Sequence, residues 1–139
     1  MKGKFFLDTN IIIYSFDTQA KAKKKIATDL IAEALDTRNG AISYQVIQEF
    51  LNIATRKFAK PLTTDDAKMY LHKVLIPLCQ VYADIDIYTE ALELTKRTGY
   101  SFYDSLILAS ALDAGCDCIY TEDLHDGHHI TGLKIINPF

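Results

Sequence analysis

The sequence lacks any apolar stretch long enough to cross a membrane, and no part of it has the composition of a disordered chain. Its longest apolar runs, at positions 10–14 and 106–112, are far shorter than the ~20 residues that a membrane helix needs. The first apolar run, after Met-Lys-Gly-Lys, is too short for a signal peptide. We therefore expect a cytoplasmic protein that does not enter the membrane.

Cysteine and positive charge are also scarce. The three cysteines, Cys79, Cys116 and Cys118, lack the further cysteines or spaced histidine pair that would complete a typical zinc site. We expect them to be reduced and packed in the core. The net charge of −3 argues against a protein that binds nucleic acid through a basic surface alone. A bound cation would change this balance, because it would screen the acidic residues around it.

The hydrophobic pattern alternates between short apolar runs and amphipathic segments. A chain of 139 residues has the size of one domain, so we expect a single domain over residues 1–139. Strands that are apolar throughout and alternate with helices predict an α/β fold, a three-layer α/β/α sandwich with a central parallel sheet. The predicted strands cover 4–7, 40–43, 79–83, 118–121 and 134–136, and the predicted helices cover 21–35, 43–57, 63–76, 86–98 and 103–114.

Four acidic residues stand where strands end or on predicted helices. Asp8 and Asp123 each follow a predicted strand, Asp104 lies in the first turn of an apolar helix, and Glu49 borders the apolar face of another. Each alone is compatible with a turn, a cap or a solvated position. Together they supply the oxygen ligands from separate segments that Mg²⁺ prefers, and ligands of α/β folds gather at the carboxyl ends of the strands. We therefore predict a metal site that can activate a water and stabilise charge on a phosphate.

The fourth acid has close competitors in the sequence. Glu122 and Asp126 lie near Asp123 and are equally suited to ligate a cation, so the residues alone do not choose between them. The histidines at 125, 128 and 129 have no regular ligand spacing, and we assign them to a loop.

Basic and aromatic residues near the predicted site are candidates for RNA contacts. Arg56 and Lys57 follow the helix that carries Glu49, and Tyr103 precedes Asp104. These side chains can contact phosphates or stack on a base. The lysines within 21–25 are interpreted as a solvated helix end.

Four segments of the sequence resemble the motifs of PIN domains. They are Phe-Leu-Asp-Thr-Asn-Ile at 6–11, Gln-Glu-Phe at 48–50, Ser-Phe-Tyr-Asp-Ser-Leu-Ile at 101–107 and Thr-Glu-Asp-Leu at 121–124. The resemblance spans nearly the whole chain. Small, single-domain PIN proteins of this kind resemble VapC-type toxins. It implies that Asp8, Glu49, Asp104 and Asp123 are the catalytic and metal-binding acids, and that Asn10 and Thr121 support them.

The resemblance also implies an activity and partners. VapC-type proteins are Mg²⁺- or Mn²⁺-dependent endoribonucleases that leave 5′-phosphate and 3′-hydroxyl ends, form homodimers and are silenced by an antitoxin protein. A PIN-like nucleic-acid-binding or scaffold domain without turnover is the alternative, and the complete set of acids argues against it. A haloacid-dehalogenase-like phosphatase would need a second aspartate at the position of Asn10.

Overall fold

The computed structural model describes residues 3–139, in which a central sheet of six strands is flanked by helices. The strand order is β3-β2-β1-β4-β6-β5, and all neighbouring strands are parallel except β5 and β6. The predicted α/β class is therefore confirmed. The strands are β1 (Phe5–Leu7), β2 (Gly40–Ser43), β3 (Cys79–Val81), β4 (Cys118–Tyr120), β5 (His129–Ile130) and β6 (Leu133–Ile136). The helices are α1 (Thr9–Tyr14), α2 (Lys21–Thr37), α3 (Tyr44–Arg56), α4 (Thr64–Tyr70), α5 (Ile76–Leu78), α6 (Ile85–Thr98) and α7 (Phe102–Asp113), and a π-helical turn, Leu71–Leu75, joins α4 to α5.

Strand β1 lies between β2 and β4 and is buried along its whole length. Its last residue, Leu7, pairs with Tyr120, the last residue of β4. The backbone N–H of Asp8 continues this pairing by donating to the Tyr120 carbonyl at 3.1 Å. Since parallel neighbours end at the same edge of the sheet, Asp8 and Thr121 leave their strands side by side.

Helix α2 packs closely on β2 because Gly40 has no side chain. A Cβ atom at this position would lie 2.1 Å from Ala34 Cβ and 2.8 Å from Ala34 Cα. Real carbon atoms do not approach so closely, so this contact between helix and strand requires glycine.

Most predicted elements are confirmed to within two residues, but the expected end of a helix before Pro77 is wrong. The helical conformation continues through the π-helical turn to Leu78. Pro77 lies in the first turn of α5, where a missing N–H costs little, and the π-helical turn changes the hydrogen bonding just before it.

Strand β5 was not predicted, and the assignment of His129 to a loop is wrong. His129 and Ile130 pair antiparallel with β6 through a two-residue turn, Thr131 and Gly132, which have φ of 51° and 83°. Two consecutive positive φ values are typical of a type I′ hairpin turn. The strand is too short to give a hydrophobic pattern.

The cysteines fit the expectation of reduced residues. None of the three forms a disulfide, and Cys79 and Cys116 are buried. Burial raises the pKa of the Cys116 thiol to about 12. No helix within residues 3–139 has both the length and the apolar character of a membrane span.

Candidate active site

The Asp8 carboxylate is buried at the carboxyl end of β1, where it caps helix α1. Its Oδ1 accepts a hydrogen bond from the Thr9 backbone N–H at 2.7 Å, and its Oδ2 accepts one from Thr121 Oγ1 at 2.7 Å. The side chain has both oxygens held in place while only 7 % of the residue is exposed. Burial raises the pKa of the Asp8 carboxyl from 3.8 to about 7, against the lowering effect of the two hydrogen bonds.

Glu49 approaches Asp8 through Thr9. The Thr9 hydroxyl donates to Glu49 Oε1 at 2.6 Å, while the Thr9 backbone N–H donates to Asp8. Glu49 is half-buried on α3, and its negative charge adds to the effects that raise the pKa of Asp8. One threonine therefore links two carboxylates that lie about forty residues apart in the chain.

Asp123 approaches from the other side, through Asn10 and Thr121. Asn10 Nδ2 donates to Asp123 Oδ2 at 2.9 Å and lies 3.3 Å from Thr121 Oγ1. The Asp123 backbone N–H donates to the same hydroxyl at 3.2 Å. The structure thus brings Asp8, Asn10, Glu49, Thr121 and Asp123 into one connected set of hydrogen bonds.

The two competitors for the fourth acid have other partners. Glu122 accepts from the Tyr14 hydroxyl at 2.6 Å and forms an ion pair with Lys23. Asp126 Oδ1 accepts from the Asn137 backbone N–H at 2.9 Å, which ties it to the C-terminal segment. In this arrangement, neither acid shares the partners of Asp8, whereas Asp123 does.

Asp104 lies in the first turn of α7, half-buried, and its backbone N–H donates to Ser101 Oγ at 3.2 Å. Within residues 3–139 its carboxylate forms no hydrogen bond with the other acids or their partners. The adjacent Tyr103 carbonyl accepts from Gln45 Nε2 at 3.3 Å, and Gln45 precedes Glu49 by one helical turn on α3. This contact joins the start of α7 to the helix face that carries Glu49.

The carboxylates fit a hard cation by their chemistry, although they do not surround one as they stand. Over the described range, no three Asp, Glu, His or Cys side chains are grouped closely enough to ligate one ion. The carboxylates offer only oxygen atoms as metal ligands, which Mg²⁺ and Mn²⁺ favour. In residues 3–139, no lysine or arginine donates to Asp8, Glu49 or Asp123, so their mutual repulsion is not compensated by a basic side chain.

Comparison with known families identifies the fold. The sequence model of the PIN domain matches residues 5–125. The chain belongs to the PIN domain family. The resemblance seen in the sequence motifs is therefore confirmed. Comparison with curated protein sequences gives no significant match.

Solved structures with the same fold include a toxin–antitoxin complex and a toxin. A toxin–antitoxin complex from Klebsiella pneumoniae superposes with a TM-score of 0.67 at 18 % identity, with 98 % of each chain covered. FitAcB from Neisseria gonorrhoeae gives 0.62 at 19 % identity, covering 96 % of this PIN domain and 97 % of that chain. VapC20 of Mycobacterium tuberculosis, a toxin that cleaves the sarcin–ricin loop, gives 0.60 at 19 % identity, covering 86 % and 90 %. At these identities the likeness establishes a shared fold.

The sequence analysis of this PIN domain did not predict three side chains that contact acidic residues, which are Thr9, Tyr14 and Lys23. Thr9 follows Asp8 directly, so its place in the motif was a usable signal. Tyr14 and Lys23 had none, because their contact with Glu122 joins residues about a hundred positions apart. Lys23 lies at the start of α2, where the sequence predicts a solvated helix end, and its side chain is 36 % exposed while it forms the ion pair with Glu122.

Proposed function

We propose that this PIN domain is a divalent-metal-dependent endoribonuclease that acts as the toxin of a toxin–antitoxin pair in the cytoplasm, as a single domain over residues 1–139. The observation that carries the proposal is the set of hydrogen bonds that joins Asp8 to Glu49 and to Asp123 at the carboxyl edge of the sheet. Carboxylates from distant parts of the chain gather there without a basic partner, which favours a site for a cation. Among the structures that share the fold, one is a toxin–antitoxin complex and another is a toxin, which supports the biological role.

The residues of the site have different roles in this proposal. Asp8, Asp104 and Asp123 hold the ion, and Glu49 either joins them or orients the attacking water. Thr121 and Asn10 fix the orientation of Asp8 and Asp123 through their hydrogen bonds. When bound, Mg²⁺ or Mn²⁺ supplies Lewis-acid chemistry, which favours deprotonation of the attacking water and stabilises negative charge on the scissile phosphate.

RNA binding adds contacts outside the acids. Arg56 lies two turns after Glu49 on the same face of α3, about 10 Å along the helix axis, and both Arg56 and Lys57 are exposed. They can contact phosphates that flank the cleaved one. Tyr103 is 67 % exposed beside Asp104, in a position to stack on a base.

The decisive experiment is cleavage of a structured RNA by the purified protein with Mg²⁺ or Mn²⁺. We expect products with 5′-phosphate and 3′-hydroxyl ends, and loss of cleavage in EDTA and in Asp104→Asn. Asp36→Asn, which removes an exposed aspartate of α2, should cleave normally and is the matched control. Cleavage that survives both EDTA and Asp104→Asn would exclude the metal mechanism, and RNA binding without any cleavage would favour a binding or scaffold module.

The proposed antitoxin should cover the same acidic edge. We expect a short open reading frame beside the gene to encode a protein that co-purifies with this PIN domain and suppresses its RNase activity. If no such protein exists, the toxin role fails while the nuclease activity is unaffected.

We also propose a homodimer, formed through one face of α6. Ile85 and Leu92 lie two turns apart on one face of the helix, outside the walls of the cavity that α6 borders, and are 79 % and 59 % exposed, which is unusual for apolar side chains of an isolated chain. Leu92→Glu should convert a dimer into a monomer by light scattering, whereas Met69→Glu, at an exposed apolar residue of α4, should not. A monomeric wild-type protein would refute this part of the proposal.

A further inference from the structure

A cavity of about 430 Å³ lies beside the acids without containing any of the four. It opens where β2 and β3 end, and its walls come from α3, residues 82–84, α6 and α7. Two of its lining residues, Gln48 and Tyr103, directly precede Glu49 and Asp104 in the chain. A molecule bound in the cavity would therefore lie next to the proposed catalytic residues.

The cavity is lined with exposed aromatic side chains. Tyr44, Tyr82, Tyr88 and Tyr103 all line it, and their exposed fractions are 46 %, 63 %, 44 % and 67 %. The other four tyrosines of the sequence are less exposed and lie elsewhere. Phe102 supports two of the lining rings by edge contacts, to Tyr103 at 5.6 Å and to Tyr88 at 6.1 Å between ring centroids. Such a concentration of exposed rings at one place is suited to a planar aromatic ligand.

Gln45 lines the same cavity and holds an unsatisfied hydrogen-bond acceptor beneath its wall. Only 8 % of the residue is exposed, and its Nε2 donates to the Tyr103 carbonyl. Its Oε1 is buried and accepts no hydrogen bond from any residue in the range 3–139. A buried amide oxygen without a donor is unfavourable, so a turn of the Gln45 side chain towards a ligand with an N–H group would satisfy it and favour such a ligand.

The charge of the cavity excludes an anion as the bound group. No lysine or arginine is among its lining residues, and its one carboxylate, Asp84, caps α6 by accepting from the Asp86 backbone N–H at 3.0 Å. The ligand that fits is neutral, planar and aromatic, and it carries an N–H. The nucleobases of RNA meet all four conditions.

We propose that this cavity binds one unpaired nucleobase of the RNA, next to the phosphate that is cleaved. The inference rests on the proposed ribonuclease function and adds a base subsite to it. The base stacks on Tyr103 and Tyr44, and it donates an N–H to Gln45 Oε1 when the Gln45 side chain turns towards it. An RNA segment must be single-stranded there, because a base inside a duplex has no free face to stack.

The test uses a fluorescent base analogue and does not depend on catalysis. The probe is an RNA decamer of uridines with one central 2-aminopurine, whose fluorescence is quenched when the base stacks, titrated with the protein in EDTA. We expect saturable quenching by the wild type and by Tyr103→Phe. Tyr103→Ala and Gln45→Met should bind about fivefold to a hundredfold more weakly, and Met69→Ala, outside the cavity, should bind as the wild type does.

The outcomes separate this inference from the ribonuclease proposal. Absence of quenching by the wild type, or equal affinity of Tyr103→Ala and the wild type, would overturn the base subsite even if RNA is cleaved. Quenching with the expected pattern would support the subsite even if no RNA is cleaved, in which case the ribonuclease proposal alone fails. If Tyr103→Ala changes the protein from dimer to monomer and leaves quenching unchanged, the cavity belongs to a contact between two copies, and the inference is wrong.

Discussion

Replacing Asp8 by asparagine should make the protein inactive but more stable at alkaline pH. In the folded protein, the charged carboxylate is buried, with acidic Asp123 and Glu49 close enough to raise its pKa further. The shift from 3.8 to about 7 corresponds to about 4 kcal/mol of unfavourable free energy for the ionised form in the absence of metal. This is a large part of the ~5–15 kcal/mol that stabilises a domain of this kind.

The sign of the pH effect follows from the direction of the shift. Because the pKa of Asp8 is raised by folding, the folded protein binds a proton between pH 3.8 and about 7 that the unfolded chain has released. The contribution of Asp8 to the stability of the fold is therefore fully present below pH 3.8 and is lost as the pH rises through about 7. Asparagine carries no charge and should not show this loss.

Asparagine also removes one favourable contact. Its amide group can keep the acceptor for the Thr9 backbone N–H, but its Nδ2 cannot accept from Thr121 Oγ1, which costs about 1–3 kcal/mol at any pH. The net expectation at about pH 8 is a gain of roughly 1–3 kcal/mol for the variant. Between about pH 4.5 and about pH 8, the stability difference should shift by about 3 kcal/mol in favour of the variant.

Urea unfolding at these two pH values, in EDTA, measures the effect. Asp36→Asn controls for the change in net charge, because it removes an exposed aspartate far along α2 from the site. Added Mg²⁺ or Mn²⁺ should raise the melting temperature of the wild type at about pH 8 but not that of Asp8→Asn. A stability difference between Asp8→Asn and wild type that is the same at both pH values would refute the reasoning.

Three further predictions concern other parts of the chain. Gly40→Ala should destabilise the fold by about 3 kcal/mol in urea unfolding, since the added Cβ would overlap Ala34, including its backbone; full stability would contradict the close contact. Lys23→Met should raise the pKa of Glu122, because the ion pair with Lys23 lowers it in the wild type. The variant should therefore lose stability that the wild type has at neutral pH and loses on acidification. An unchanged pKa of Glu122 in an NMR titration of the variant would contradict this prediction. Arg56→Ala should weaken RNA binding and reduce the slope of affinity against salt by about 1, whereas an unchanged slope would show that Arg56 contacts no phosphate.

The fold was accessible from the sequence because its strands and helices are marked by strong local signals. Ser43 and Ser101 cap α3 and α7, and Gly99 ends α6 with a φ of 78°, as their residue types predict. Local sequence signals did not predict the structure of segments that depend on contacts with other parts of the chain. The two residues of β5 become a strand only by pairing with β6, and Pro77 is accommodated by an altered hydrogen-bond pattern before it.

The acids of the candidate site can be proposed from the sequence, but the contacts that hold them could not be predicted from it. Sheet topology alone places Asp8 near Thr121, since β1 and β4 end together. The choice between Asp123 and Glu122 depends on contacts that no local pattern encodes. Glu122 points to Tyr14 and Lys23, and this pairing is visible only once α2 is placed next to the loop after β4.

The acids differ in how firmly they are held, and the difference indicates how a cation would assemble the site. Asp8 has a hydrogen bond to each oxygen and is buried, so its orientation is fixed by the fold. Asp123 is exposed, and only one of its oxygens accepts a hydrogen bond from a residue in the range 3–139; Glu49 is likewise held by a single contact, from Thr9. A carboxylate oxygen has two lone pairs, so the bonds to Asp8 still leave room for a cation. We therefore expect Asp8 to be the fixed ligand and the looser carboxylates to turn towards it when metal binds, which accounts for a network of acids that does not yet form a coordination shell.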